Sequence, residues 1–172
     1  MKNKKIVLIV MCLMLANMFG MCSCSNASEK YTFNISDDHD FRGVNLGTDM
    51  ETVKAAEKET MTKQTALGEQ NILIYQDVNE DGFKAKIMYA FDKASDTLVS
   101  GTIYYYCDAE KLDEAYDALA QTCKQLYGTQ YVYTDSVSIH WKIGNKYVCI
   151  LKSTTGGTKV CYDVCTEEAY NQ

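Results

Sequence analysis

The hydrophobic period of this chain changes sharply near its middle. From Phe83 to Phe91 the residues alternate: Phe83, Ala85, Ile87, Tyr89 and Phe91 fall on one side, and Lys84, Lys86, Met88 and Ala90 on the other. The alternation returns from Val99 to Cys107, where Val99, Gly101, Ile103, Tyr105 and Cys107 oppose Ser100, Thr102, Tyr104 and Tyr106. A period of two belongs to a half-buried strand. Past Asp108 the apolar residues Leu112, Tyr116, Leu119, Cys123 and Leu126 recur every three or four positions, which is one face of a helix. Asp108 is placed to cap its start, and Gly128 stands where a left-handed residue ends helices. A helix and strands that are each apolar on one side must bury those sides against one another.

The rest of the chain extends this pattern. Thr48 and Glu51 have capping-box spacing, with Met50, Val53 and Ala56 behind them, predicting a first helix over 49–59. Ile72–Gln76 is an apolar strand, and NEDG and DKASD are turns between strands. Val137, Ile139, Trp141 and Ile143 alternate with Ser138, His140 and Lys142; Tyr147–Lys152 and Thr158–Cys165 then flank a TTGG hairpin loop. The expected fold is α+β: an antiparallel sheet with two helices packed on one face, in a pseudo-repeat α-β-β-β-α-β-β-β.

The chain begins with a positive segment, Lys2, Lys4 and Lys5, followed by an apolar run from Ile6 to Phe19. The run is too short to cross a ~30 Å hydrocarbon layer as a helix and has the form of an export signal. Met21-Cys22-Ser23-Cys24 resembles a bacterial lipobox, with Cys24 as lipid carrier and Cys22 as the alternative. Ser25-Asn26-Ala27 also fits ordinary cleavage, which would release a secreted form. The expected organisation is a signal peptide over 1–23, a lipid-anchored polar tether over 24–40 and a single α+β domain over 41–172. The expected location is the extracytoplasmic side of a cell membrane.

Of 17 basic and 23 acidic residues, three lysines and no acids fall within 1–23, so the remainder carries a net charge of −9. That balance argues against nucleic acid as a partner, and it leaves the lipid anchor as the means of membrane contact. The body holds five cysteines, Cys107, Cys123, Cys149, Cys161 and Cys165. An odd count leaves one thiol unpaired in a monomer. A hairpin centred on Thr155 would set Cys149 opposite Cys161, a candidate disulfide; free thiols are the alternative.

Asp77, Asn79, Asp81 and Gly82 match the first half of a calcium loop, but the twelfth position is Met88, which offers no oxygen. The same residues suit a hairpin turn. Weak calcium binding stays as the alternative, with a remote carboxylate such as Asp92 or Asp96 in place of Met88. Phosphate-loop, dinucleotide, serine-hydrolase and zinc-protease motifs are missing, and the chain reads as noncatalytic and without a cofactor. A cysteine–His140 pair has no supporting motif. Tyr104 and Tyr106, with Lys84, Lys86, Met88 and His140, share the outward side of the predicted strands and form a candidate contact surface. Ordinary cross-strand packing on a solvated sheet is the alternative.

The segment FRGVNLGTDMETVKAAE resembles the entry segment of many bacterial envelope lipoproteins. Gly47, Thr48 and Val53 resemble the helix entry of β-lactamase-inhibitor-protein-like and outer-membrane assembly lipoprotein (BamE/SmpA) modules. LYGTQY, through Leu126, Tyr127 and Gly128, is similar to the helix exit of such families. The resemblance implies an α+β binding module of the envelope and transfers no catalytic residue. It implies a noncatalytic, surface-anchored binding or assembly module, with an envelope or extracellular protein or ligand as partner. The alternative is a secreted inhibitor-like or ligand-sensing domain.

Overall fold

In the computed structural model, which describes residues 31–172, eight strands form one antiparallel sheet. They are β1 (Lys63–Leu67), β2 (Gln70–Glu80), β3 (Phe83–Asp92), β4 (Leu98–Tyr106), β5 (Tyr133–Thr134), β6 (Ser138–Ile143), β7 (Lys146–Ser153) and β8 (Lys159–Thr166). The helices are α1 (Met50–Ala56), α2 (Leu112–Tyr127) and α3 (Glu167–Tyr170), with a 3-10 turn at Ala109–Lys111. The sheet order is β1-β2-β3-β4-β8-β7-β6-β5, so the second set of strands returns in reverse from the β4–β8 pair.

The α+β class is observed, with more strands than expected. The additions are β1 and β5, at the two edges of the sheet. The sequence KQTAL has no apolar alternation, because an edge strand held mainly by backbone pairing has no face to bury. β5 has two residues, both exposed.

Helix α1 is shorter than predicted, and its cap is Asp49 rather than Thr48. The Asp49 carboxylate accepts from the Thr52 amide at 2.9 Å and its hydroxyl at 2.7 Å. An anion there also complements the positive end of the helix. Helix α2 follows the predicted stripe, burying Tyr116, Leu119 and Cys123 together with Ala115 and Ala120. Full burial of Leu119 is worth about 1.5–3 kcal/mol. Asp108 makes no side-chain cap bond, because the 3-10 turn intervenes before α2. Gly128 ends the helix at φ 80, and its carbonyl accepts from Trp141 Nε1 at 3.0 Å. That bond satisfies the polar atom of a fully buried indole.

Residues 31–40 correct the expected tether. Phe33 is buried, stacks on Phe83 at 5.2 Å and meets Tyr105 edge-on at 4.9 Å. Asp40 pairs with Lys146 at 2.5 Å. The alternation Tyr31, Phe33, Ile35 docks this segment on the domain, against which all three pack. Residues 24–30, with the signal-peptide and lipobox residues, lie outside the described residues.

Candidate functional site

Strand register brings five of the six candidate contact residues together. Lys84 of β3 faces Tyr106 of β4, Lys86 faces Tyr104, and Met88 faces Thr102. Their neighbours Ala85, Ile87, Ile103 and Tyr105 point into the core, so these residues take the other face. Lys86 Nζ lies 4.4 Å from the Tyr104 ring centre, and Lys159 Nζ approaches the same ring at 5.9 Å. Burial, with smaller contributions from Cys161 and Asp163, pushes the Tyr104 hydroxyl up to about 12, so it remains a neutral donor at any ordinary pH. Gln76, Asp77, Lys84, Lys86 and Tyr106 border a shallow hollow of about 420 Å³.

His140 does not join them. It is on β6, separated from β4 by β8 and β7. The C-terminal helix α3 folds over this end of the same face. Tyr170 stacks on Tyr147 with ring centres 3.8 Å apart, and its hydroxyl meets His140 Nδ1 at 2.8 Å. Burial holds the His140 pKa below its ordinary value. Because α3 packs on β7 and β8, it leaves the β3–β4 part of this face uncovered. The signal for α3 was present in Thr166, Glu167 and Glu168. Thr166 accepts from the Ala169 amide at 3.2 Å, and two acids fill the first turn.

The stretch Asp77–Gly82 forms a bulge and a turn. The β2–β3 register shifts between Tyr75 and Val78, and Asp77 sits in that bulge at φ 57. Asp81 and Gly82, at φ 54 and 83, make a two-residue hairpin turn with both residues left-handed, the type I′ form. The carboxylates are engaged separately. Asp77 pairs with Lys84 at 2.6 Å, and Asp81 accepts from Asn34 Nδ2 at 2.6 Å and Asn34 N at 3.1 Å. Among the described residues no cluster of histidine, cysteine and acidic groups has the arrangement of a metal site. The calcium alternative through Asp77, Asn79 and Asp81 is not supported by this arrangement.

The candidate disulfide is also corrected. Cys149 faces Asp163, and Cys161 faces Leu151. The hairpin is centred on Gly156, one residue later than assumed, because Gly156 and Gly157 both take positive φ in the loop. All five cysteines of the described residues are free thiols.

A second polar constellation escaped the sequence reading. Arg42 and Gly43, at φ 46 and 82, form a tight turn closed by the Phe41–Val44 bridge. The turn sends the Arg42 guanidinium to Glu57 at 3.0 Å and also to Glu80. Tyr89 Oη donates to Glu57 Oε2 at 2.6 Å. The Glu57 side chain is 2% exposed. Burial alone would raise its pKa, but the bonds from Arg42 and Tyr89 and the Arg42 charge hold it below the ordinary value. Burial works against the Arg42 charge as well, and the two carboxylates more than offset it. Arg42, Glu57 and Glu80 border a cavity of about 260 Å³ that also reaches Asp40, Tyr105 and Tyr162. With the guanidinium shared between two carboxylates and the hydroxyl donated inward, the arrangement fastens the Arg42 turn to α1 and β2.

Compared with protein-family models, with curated proteins and with solved structures, the chain matches none.

Proposed function

We propose that this chain is a noncatalytic, extracytoplasmic lipoprotein, anchored through Cys24, which binds an envelope protein through the uncovered β3–β4 part of its sheet. The observation that carries the reading is the facing of Lys84 with Tyr106 and Lys86 with Tyr104 on a surface that α3 leaves open. Tyrosine provides contact area at low entropic cost. Lys84 is paired with Asp77, while Lys86 and Lys159 at the Tyr104 ring leave this part of the face positive on a body that is acidic overall, so the partner would present carboxylates around an apolar contact.

The reading includes two points of architecture. One is that α1 and α2 share the opposite face of the sheet. Gln64 Nε2 approaches Met50 Sδ at 3.7 Å, and Lys152 on β7 pairs with Asp113 on α2 at 2.5 Å. Strand alternation through the register assigns Gln64 and Lys152 to the core side, which supports it. The other is an internal repeat of one helix followed by strands, supported by the mirrored strand order about β4–β8. The resemblance to envelope lipoprotein modules in FRGVNLGTDMETVKAAE belongs to the same proposal.

The test uses the full-length chain, purified in detergent, immobilised and exposed to solubilised envelope extract, with wild type beside Tyr104→Ala/Tyr106→Ala. A protein captured by wild type and lost from the double variant, with unchanged circular dichroism, is the expected result. Equal capture by both chains removes this surface from the proposal.

A further inference from the structure

The sheet beneath α3 brings two thiols side by side. Cys149 of β7 faces Asp163 of β8, and Cys165 of β8 faces Tyr147 of β7. Cys149 and Cys165 are therefore diagonal neighbours on one face. Diagonal Cα atoms stand about 7–8 Å apart in an average antiparallel pair, with Cβ atoms closer. A disulfide needs a Cα separation of about 4.4–6.8 Å. Sheet twist makes the two diagonals of a pair unequal, and the packing identifies the nearer one. Cys149 and Cys165 are both buried. With Tyr147 they form a separate buried cluster, and Ala169 and Tyr170 pack against it. Cys161 lies on the other diagonal from Cys149, in the electrostatic range of Lys159, Lys86 and Tyr104 instead.

We propose that Cys149 and Cys165 are the oxidisable pair among the described residues and close a cross-strand disulfide when a small disulfide oxidant, such as oxidised glutathione, is present. The thiolate of one cysteine attacks the oxidant, breaking its S–S bond and releasing one glutathione. The thiolate of the other displaces the second glutathione from the mixed disulfide. One S–S bond is lost in the oxidant and one is made in the protein. The two electrons and the two thiol protons end on two molecules of reduced glutathione.

The fold sets when this happens. Cys149 and burial push the Cys165 thiol well above its ordinary value, and Ala169 and Tyr170 pack against the cluster that holds both cysteines, so an oxidant has no open path to the pair in the closed, reduced protein. Oxidation belongs to the folding chain, or to molecules whose α3 has lifted. Once made, the bond lies under the Tyr147–Tyr170 stack, shielded from reductants. Burial pushes the Cys123 and Cys161 thiols up to about 12, and these two, with Cys107, stay single. The inference is independent of the partner surface on β3 and β4.

The full-length chain, reduced and denatured, is refolded in detergent with a glutathione redox mixture, alkylated and digested with trypsin. Cys161 and Cys165 fall in one tryptic peptide, so fragmentation of the linked species locates the bond. The expected result is a link from Cys149 to Cys165, retained in Cys161→Ser, with Cys107, Cys123 and Cys161 alkylated. The oxidised protein melts above the reduced one. A link to Cys161, or alkylation of all five cysteines of the described residues, overturns the proposal.

Discussion

The Phe41 ring lies directly over Gly101, and a Cβ built on that glycine would stand 2.3 Å from Phe41 Cδ1 and 2.4 Å from Cγ. The missing side chain on β4 is the seat for the ring. Phe41 also meets Tyr89 edge-on at 5.2 Å and lies parallel to Tyr162 at 6.5 Å, which holds it from both sides. It cannot retreat, because its Cγ is fixed near the backbone of the Arg42 turn. Gly101→Ala is therefore expected to destabilise the protein by about 1–3 kcal/mol through overpacking. Phe41→Leu in the same molecule should recover part of that loss, because the two effects share one contact. Urea unfolding of the four proteins of the cycle measures this. Additive losses would show that Gly101 and Phe41 do not press on each other.

The Arg42–Glu57 pair makes a pH-dependent contribution with a definite sign. The folded Glu57 carboxyl titrates below its ordinary value of 4.5. A lowered carboxyl stabilises the fold above the unfolded value, and that stability is lost as the pH falls through the folded one. The urea midpoint should therefore fall on acidification from pH about 5 to about 3. Glu57→Gln should flatten that part of the profile. At neutral pH the variant should lose about 3 kcal/mol, the lower end for breaking a buried pair, since Glu80 still holds Arg42. An unchanged acid slope in Glu57→Gln would assign the effect to other carboxylates.

The periodic elements were legible because burial is written into spacing. β3, β4 and α2 follow the alternation and the stripe that predicted them. What escaped within single elements has a local cause. β1 buries little, so its side chains carry no pattern. The hairpin register depended on which loop residues took positive φ, and a shift of one in its centre moved Cys149 from Cys161 to Asp163. The alternation of Tyr31, Phe33 and Ile35 reads as a short strand within a polar tether, but the segment docks on the core through these side chains without joining the sheet. At the candidate surface, alternation correctly separated Tyr104 and Tyr106 from Tyr105. It could not tell that His140 lies three strands away from them, because strand order in a sheet is a long-range property.

Asp163 shows the opposite electrostatic sign from Glu57. It accepts from Thr102 Oγ1 at 2.6 Å and Ser100 Oγ at 3.1 Å. Burial nevertheless outweighs these bonds and raises its pKa above the ordinary 3.8. A raised carboxyl keeps its proton in the folded state while the unfolded chain has lost it. Its contribution to stability declines as the pH rises through that window and stays reduced above it. Asp163→Asn keeps an oxygen for the two hydroxyls and removes the charge. The variant should match or exceed wild-type stability at neutral pH, with the advantage shrinking as the pH falls towards 3.8 and gone well below it. Thermal melts across that range decide it. A variant less stable at neutral pH and equal in acid would mean that the ionised form is the favoured one.

Tyr170 closes the thiol pair through its ring and reaches His140 through its hydroxyl, and two substitutions separate these roles. Tyr170→Phe keeps the stack on Tyr147 and loses the bond to His140 Nδ1. Tyr170→Ala loses both and opens the cluster of Tyr147, Cys149 and Cys165. In the reduced protein, iodoacetamide should modify Cys149 and Cys165 several-fold faster in Tyr170→Ala than in wild type. Tyr170→Phe should resemble wild type, because access is controlled by the ring. Cys123 is the internal reference: it is fully buried in the α2 core and should react at one slow rate in all three proteins. Faster modification of Cys123 along with the pair would indicate general loosening. An unchanged rate at Cys149 and Cys165 in Tyr170→Ala would show that the strands themselves, and not α3, exclude the reagent.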